Sequence, residues 1–144
     1  MVNKENGVEE PSYTLAYRFK KILVPIIPQP HAQQAIDVAI DLAQRYGSHI
    51  TFLYVAKSRD DPLIKEIKNM LKKVDEIGIE YVFKTRVMEK GETPSSEIIK
   101  ELSEERYDLV IMSTRGYYGV AALIYESTSI TVAIAANTSV LILR

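Results

Sequence analysis

The sequence of 144 residues predicts one α/β domain of three layers, an α/β/α fold with a five-stranded parallel sheet. Five short apolar segments recur about every 30 residues, which is the length of a strand and the helix that follows it. Several of these segments are continuously apolar, as strands covered by helices on both faces require. The segments between them repeat apolar residues every three or four positions, which is typical of helices.

The predicted strands cover residues 21–27, 49–55, 81–87, 109–113 and 139–143. Residues 1–18 lack both patterns and are expected to form a flexible N-terminal tail, so the domain covers residues 19–144. The uncharged stretch 127–143 is interrupted by hydroxyl and amide side chains, and it is predicted as a helix, a turn and a strand instead of a membrane span.

Cap residues mark the ends of the four predicted helices. The first ends at Gly47, and the second has Asp61 as its N-cap and stops at Gly78. The third follows Thr93 and Pro94, a cap and first-turn pair. The fourth is predicted from residue 127 to about residue 136, with hydroxyl side chains at its start.

Composition excludes several classes of function. Eighteen basic and nineteen acidic side chains give a net charge of −1, so no bulk attraction to nucleic acid or to an anionic membrane is expected. The absence of cysteine excludes disulfides and thiolate metal sites, and the two histidines do not form a zinc site by themselves. We therefore expect no metal centre, and a cysteine-free chain fits a reducing cytoplasm.

A ligand is expected where the strand order reverses, outside the carboxyl ends of the first and fourth strands. The loops in question are residues 26–30 and 113–129. The second of these ends in Ser127, Thr128 and Ser129 at the predicted start of the fourth helix, where free N–H groups and hydroxyls favour an anion such as phosphate. The alternative is that Ser127 only caps the helix and Gly116 only forms a turn.

Taken together, these strands and loops resemble those of the universal stress protein family. The resemblance rests on Ile-Leu-Val-Pro at 22–25, Leu-Val-Ile-Met at 109–112, the glycine loop and Val-Leu-Ile-Leu at 140–143, and it covers residues 19–144. It implies the adenine nucleotide alpha hydrolase-like fold, with strand order 3-2-1-4-5, and dimers formed through the fifth strand. Nucleotide-binding members carry a Gly-x2-Gly-x9-Gly-Ser/Thr pattern that wraps the phosphates of ATP, and an aspartate after the proline of the first strand.

The resemblance implies a set of candidate nucleotide-binding residues, which are Pro25, Ile27, Val55, Met112, Ser113, Gly116, Ser127 and Ser129. Three positions at this site depart from the family pattern. Ser113 replaces the first glycine, Glu126 replaces the third, and Ile27 stands where the aspartate is expected.

These departures weaken the case for a triphosphate. Ile27 removes a carboxylate, together with any metal that it would hold, and two prolines remove backbone donors from the same loop. A carboxylate at Glu126, about 4 Å from a phosphate, would repel it by about 4 kcal/mol at an effective dielectric of about 20. We therefore expect no cofactor; the alternative is ATP with Mg²⁺, if Glu126 turns to solvent and Arg115 offsets part of the repulsion.

Two segments suggest association with other chains. Residues 117–125 carry no charge and are expected either to fold onto their own domain or to be covered by another protein. The fifth strand, the expected edge, has no proline, lysine or interior charge to prevent pairing. A homodimer is therefore expected through Val140, Leu141, Ile142 and Leu143.

Catalytic motifs are not found. The chain lacks the acidic residues of a phosphoacceptor site, a P-loop, a nucleophile elbow and a dinucleotide fingerprint, and both histidines are expected at the surface. The sequence therefore favours a non-catalytic module that acts in stress response through dimerisation and protein contacts. The alternatives are an ATP-binding switch that uses the loop after the fourth strand, and a regulatory subunit of a membrane transporter or enzyme.

Overall fold

The computed structural model of the chain describes residues 18–26, 32–113 and 119–144, with only the backbone for residues 119–126. In chain order the strands are β1 (Lys21–Pro25), β2 (His49–Ala56), β3 (Tyr81–Val87), β4 (Leu109–Ser113) and β5 (Ser139–Leu143). The helices are α1 (Ala32–Tyr46), α2 (Leu63–Ile77), α3 (Pro94–Glu104) and α4 (Gly119–Ala135). Of the predicted tail, residues 1–18, all but residue 18 lie outside the described residues.

The five strands form one parallel sheet in the order β3-β2-β1-β4-β5, which confirms the predicted fold. β1 is central, and its Ile22 lies beside Ile50 of β2 on one side and Leu109 of β4 on the other. The chain therefore winds outward from β1 in both directions. The carboxyl ends of β1 and β4 form the switch point at which a crevice is expected.

Helices cover both faces of the sheet, which explains why its central strands β1 and β4 are apolar without alternation. In β1, Ile22 and Val24 face α1 and α2, whereas Leu23 faces the opposite layer with Val110 and Val132. All five of these side chains are fully buried. Burial of each such side chain contributes about 1.5 to 3 kcal/mol to the stability of the fold, so the helical layers on both faces stabilise the sheet.

Two predicted helix ends are confirmed by their capping contacts. The Thr93 hydroxyl accepts the Ser96 N–H at 3.2 Å, while the Ser96 hydroxyl accepts the Thr93 N–H at 3.0 Å, and Pro94 begins α3. Gly78 closes α2 in the left-handed conformation, at a φ of 84°. A side chain would be strained there, so the terminator is a glycine.

Four predicted boundaries were wrong, among them the end of β2, which lies at Ala56 instead of residue 55. The cap position of α2 is Pro62, one residue after Asp61, although the Asp61 carboxylate accepts the Leu63 N–H and so makes the capping hydrogen bond that Pro62 lacks. β1 ends at Pro25 instead of continuing to residue 27. Most importantly, α4 begins at Gly119 instead of at residue 127, so the hydroxyl residues lie within the helix. None of the helices in the part of the chain described is long and apolar enough to cross a bilayer.

Candidate functional site

A cavity of about 200 Å³ lies at the carboxyl ends of the central strands, where the strand order reverses. Pro25 of β1 and Met112 of β4 line it from the sheet, with Leu53 and Val55 of β2 beside them. These four side chains are apolar, and they reach the cavity because each stands near the carboxyl end of its strand. The position agrees with the crevice expected for this topology.

Helix α1 lines the cavity with alanines. Ala32 and Ala35 lie along it and are almost fully buried, one turn apart. Because an alanine side chain is a single methyl group, α1 packs closely on the sheet and still leaves space at the strand ends. The alanine stripe of the sequence therefore helps to make the cavity.

Helix α4 contributes hydroxyl groups to the cavity from its interior. Thr128 and Ser129 line it and are 7% and 2% exposed, whereas the neighbouring Ser127 is exposed and does not line it. These residues lie about two turns beyond the start of the helix at Gly119. Backbone N–H groups at that depth donate to carbonyls four residues earlier, so they are not the free donors of a helix N-terminus.

The loop after β2 forms the remaining wall, and the carboxylate of Asp61 holds it. It accepts hydrogen bonds from the Tyr54 hydroxyl at 2.7 Å, the Leu63 N–H at 3.0 Å and the Lys57 N–H at 3.2 Å. The hydrogen bond from Tyr54, followed by those from Leu63 and Lys57, holds the pKa of Asp61 below its ordinary value. Tyr54, Lys57 and Leu63 all line the cavity, so this one carboxylate fixes an entire side of it.

Five of the eight candidate residues meet at this cavity, namely Pro25, Val55, Met112, Ser113 and Ser129. Ser127 does not line it, because the helix turns that side chain toward solvent. Ile27 and Gly116 lie outside the described residues. Sequence reasoning missed Lys57 and Thr128 as lining residues, although Lys57 follows a strand directly and Thr128 stands in the hydroxyl triplet.

A second polar cluster, which we call the Glu101 cluster, lies away from the cavity between β3 and α3. Glu101 is fully buried, and its carboxylate accepts hydrogen bonds from the Tyr107 hydroxyl at 2.7 Å, Lys84 at 2.9 Å and Arg86 at 2.9 Å. Burial alone raises the pKa of Glu101, but the hydrogen bonds from Lys84, Tyr107 and Arg86 lower it overall. The sequence did not predict this cluster, although Lys84 and Arg86 alternate on one face of their strand.

The two edges of the sheet differ in their ability to pair with another strand. On the edge strand β3, Lys84 and Arg86 point inward to the carboxylates of α3, a feature that discourages edge pairing. The other edge, β5, carries only Ser139 and apolar residues, and Leu141 is 38% exposed. The predicted contact residues Val140, Ile142 and Leu143 are half-buried on the same strand.

Comparison with known proteins identifies the family of the chain. The model of the universal stress protein family matches residues 18–144, that is, the whole domain. The chain belongs to the universal stress protein family. It is 28% identical over 136 residues to the universal stress protein encoded in the QAH/OAS sulfhydrylase 3′ region of Thermus aquaticus, and 27% identical over 148 residues to YxiE of Bacillus subtilis. Each match covers 88% of this chain and 99% of the relative.

Solved universal stress proteins share the fold. One from Archaeoglobus fulgidus DSM 4304 superposes with a TM-score of 0.69 at 21% identity over 88% of this chain, and this chain spans 44% of that structure. A universal stress protein in complex with cAMP gives 0.70 at 16% identity, covering 88% of this chain and 97% of the other. One from Archaeoglobus fulgidus in complex with dAMP gives 0.65 at 17%, covering 88% and 98%.

The described residues contain no group of three or more carboxylate or histidine side chains that could hold a metal ion. Among the described residues that line the cavity, Lys57 is the only charged one. The arrangement therefore offers an apolar chamber with hydroxyls on the α4 side and one ammonium group on the loop after β2.

Proposed function

We propose that this universal stress protein is a non-catalytic, cytoplasmic module that acts in stress response through dimerisation and protein contacts, and that its crevice does not take ATP. The observation that carries the proposal is the position of residues 127–129 inside α4. A triphosphate needs several donors or cations, and interior helical N–H groups are already committed to the helix. The departures at Ile27 and Glu126 act in the same direction, because one removes a carboxylate that could hold Mg²⁺ and the other adds a negative charge.

The asymmetry of the sheet edges supports a homodimer through β5. Inward-pointing cations protect β3, whereas β5 carries no charged side chain and exposes the apolar side chain of Leu141. Pairing of β5 with a second copy across a two-fold axis would close that edge. The uncharged segment 117–125 is a further proposed contact for a partner protein, and its side chains lie outside those that the structure describes.

Calorimetric titration of Mg-ATP into the full chain tests the proposal. We expect no binding at micromolar protein concentration, and we expect the double variant Ile27→Asp, Glu126→Gly to gain binding because it restores the family pattern. Ser127→Ala is the matched control for Ser129→Ala, since only Ser129 lines the cavity. Micromolar binding of Mg-ATP by the natural chain, weakened by Ser129→Ala and not by Ser127→Ala, would overturn the proposal.

The second candidate function is nucleotide binding in the same crevice, including the ATP-binding switch expected as the alternative. The observation that favours it is that solved structures of universal stress proteins of the same fold contain cAMP in one case and dAMP in another. A single phosphate demands fewer donors than three, and the apolar chamber could accept a base. Titrations of cAMP, dAMP and Mg-ATP distinguish a nucleotide sensor from an ATP-binding switch. Binding of cAMP or dAMP without binding of Mg-ATP would support the sensor and exclude the switch.

A further inference from the structure

We propose that the cavity binds a compact aromatic ligand with a single negative charge, whose ring lies in the apolar chamber and whose charge lies at Lys57. The inference rests on the proposed function, which removes ATP from the same crevice. It names a ligand class that differs from the nucleotides in two respects, because it needs neither a sugar nor a polyphosphate site. Three observations carry it: the size of the cavity, the chemistry of its walls and the single charge among the lining residues that the structure describes.

The size of the cavity favours a small ligand. Its volume of about 200 Å³ lies below the range of roughly 300 to 1,000 Å³ that is typical of pockets for drug-sized molecules. A fused two-ring system is therefore the largest rigid group that we expect to be enclosed. A nucleoside triphosphate would have to leave most of its length outside.

The walls favour an aromatic ring over a sugar. Met88, in the loop that follows β3, and Met112 of β4 both line the cavity. The sulfur of a methionine makes favourable contacts with the edges of aromatic rings. Pro25, Leu53 and Ile98 add further apolar surface. A ligand rich in hydroxyls would lose hydrogen bonds to water on entering such walls, whereas a flat ring would not.

The charge of the cavity favours a single anionic group. Lys57 is exposed at the rim and makes no direct ion pair with the carboxylates that the structure describes, although the nearby carboxylate of Asp61, which does not line the cavity, attracts it. Its backbone is held by the hydrogen bond to Asp61, so the loop presents the side chain from a fixed position. No described carboxylate lines the cavity, so the described part of its lining matches one negative charge.

Titration with matched probes tests the inference. The probes are 2-naphthoate, which carries one charge, and 2-naphthamide, its uncharged analogue, with Mg-ATP in a separate titration. The reporters are the methyl resonances of the methionines, since Met88 and Met112 line the cavity and Met70 on α2 does not. We expect naphthoate to shift the Met88 and Met112 signals, to leave Met70 unchanged, and to bind more tightly than naphthamide.

Variants isolate the two parts of the site. Lys57→Met keeps a long side chain and removes the charge. It should lower the affinity for naphthoate by about fivefold, which is in the range of one exposed ion pair, and leave the affinity for naphthamide unchanged. Lys65→Met, at an exposed position on α2, is the matched control and should change neither. Ala35→Leu should fill the chamber and abolish binding of both probes, and its thermal unfolding shows whether the chain still folds.

The outcomes separate the two proposals. Absence of naphthoate binding, equal affinity for the two probes, or shifts at Met70 instead of Met88 and Met112 would overturn the aromatic-anion site alone. Micromolar binding of Mg-ATP would overturn the proposed function. If Ala35→Leu does not fold, the methionine shifts and the Lys57→Met comparison still decide the inference.

Discussion

The carboxylate of Glu101 accepts a hydrogen bond from the hydroxyl of Tyr107 at a distance of 2.7 Å, although no part of Glu101 reaches solvent. Lys84 and Arg86 of β3 complete its surroundings. The edge strand is thus tied to α3 by a buried charge whose partners are all in place. A buried ion pair whose hydrogen bonds are all satisfied has little net effect on stability, but removal of one partner lowers the free energy of unfolding.

Removal of the Glu101 carboxylate should therefore destabilise the domain. Glu101→Ala removes the carboxylate that accepts hydrogen bonds from Lys84 and from the buried Tyr107 hydroxyl, whereas Arg86 keeps Glu97 and Glu104, and we expect the free energy of unfolding to fall by about 1 to 3 kcal/mol. Glu104→Ala is the control, because Glu104 also pairs with Arg86 but is 59% exposed, and it should cost no more than about 1 kcal/mol. Urea unfolding of both variants measures the difference, and equal losses would contradict the prediction.

Acid should destabilise the fold because it protonates the carboxylates of Glu101 and Asp61. The pKa values of Glu101 and Asp61 are lowered in the folded chain, so their contribution is fully present at neutral pH. It is lost as the pH falls below the ordinary values of 4.5 for Glu101 and 3.8 for Asp61. The unfolding temperature of Asp61→Asn should depend less on pH, between neutral pH and pH 3, than that of the natural chain. An equal pH dependence in the two proteins would contradict this prediction.

The bond between Tyr54 and Asp61 should stabilise the wall of the cavity. Tyr54→Phe removes only the hydroxyl that donates to the buried carboxylate, and we expect a loss of about 1.5 to 3 kcal/mol, the range for hydrogen bonds to charged groups. Tyr46→Phe at the end of α1 serves as the matched control. Hydrogen exchange of the Lys57 and Leu63 amides should accelerate in Tyr54→Phe only; protection equal to that of the natural chain would show that the loop is held by other contacts.

The edge of β5 should be the surface of self-association. Leu141→Lys places a charge on the exposed apolar side chain of that strand and should convert the proposed dimer to a monomer. Val82→Lys is the control, because Val82 is 57% exposed on the opposite edge strand and should leave the dimer intact. Sedimentation velocity reports both masses. A natural chain that sediments as a monomer, or a dimer that only Val82→Lys disrupts, would refute pairing through β5.

Local patterns were sufficient to predict most of the architecture. The bounds of β3, β4 and β5 agree with the prediction because their apolar runs are short and sharply bounded by polar residues or turns. The helix ends at Gly78 and Pro94 were predicted because capping is local chemistry. The start of α4 was placed too late, because Ser127, Thr128 and Ser129 are residue types that cap helices, although here they lie inside the helix.

The sequence by itself determined the sheet, its helical layers and the edge of the sheet at which a ligand is expected, since periodicity and strand polarity are properties of neighbouring residues. Only the tertiary structure decided which side chains meet there. It turned Ser129 into the cavity and Ser127 to solvent, because residues two positions apart in a helix point about 160° away from each other. It also placed Glu101 beside Lys84 and Arg86, since burial of a charge depends on partners that lie far away in the chain.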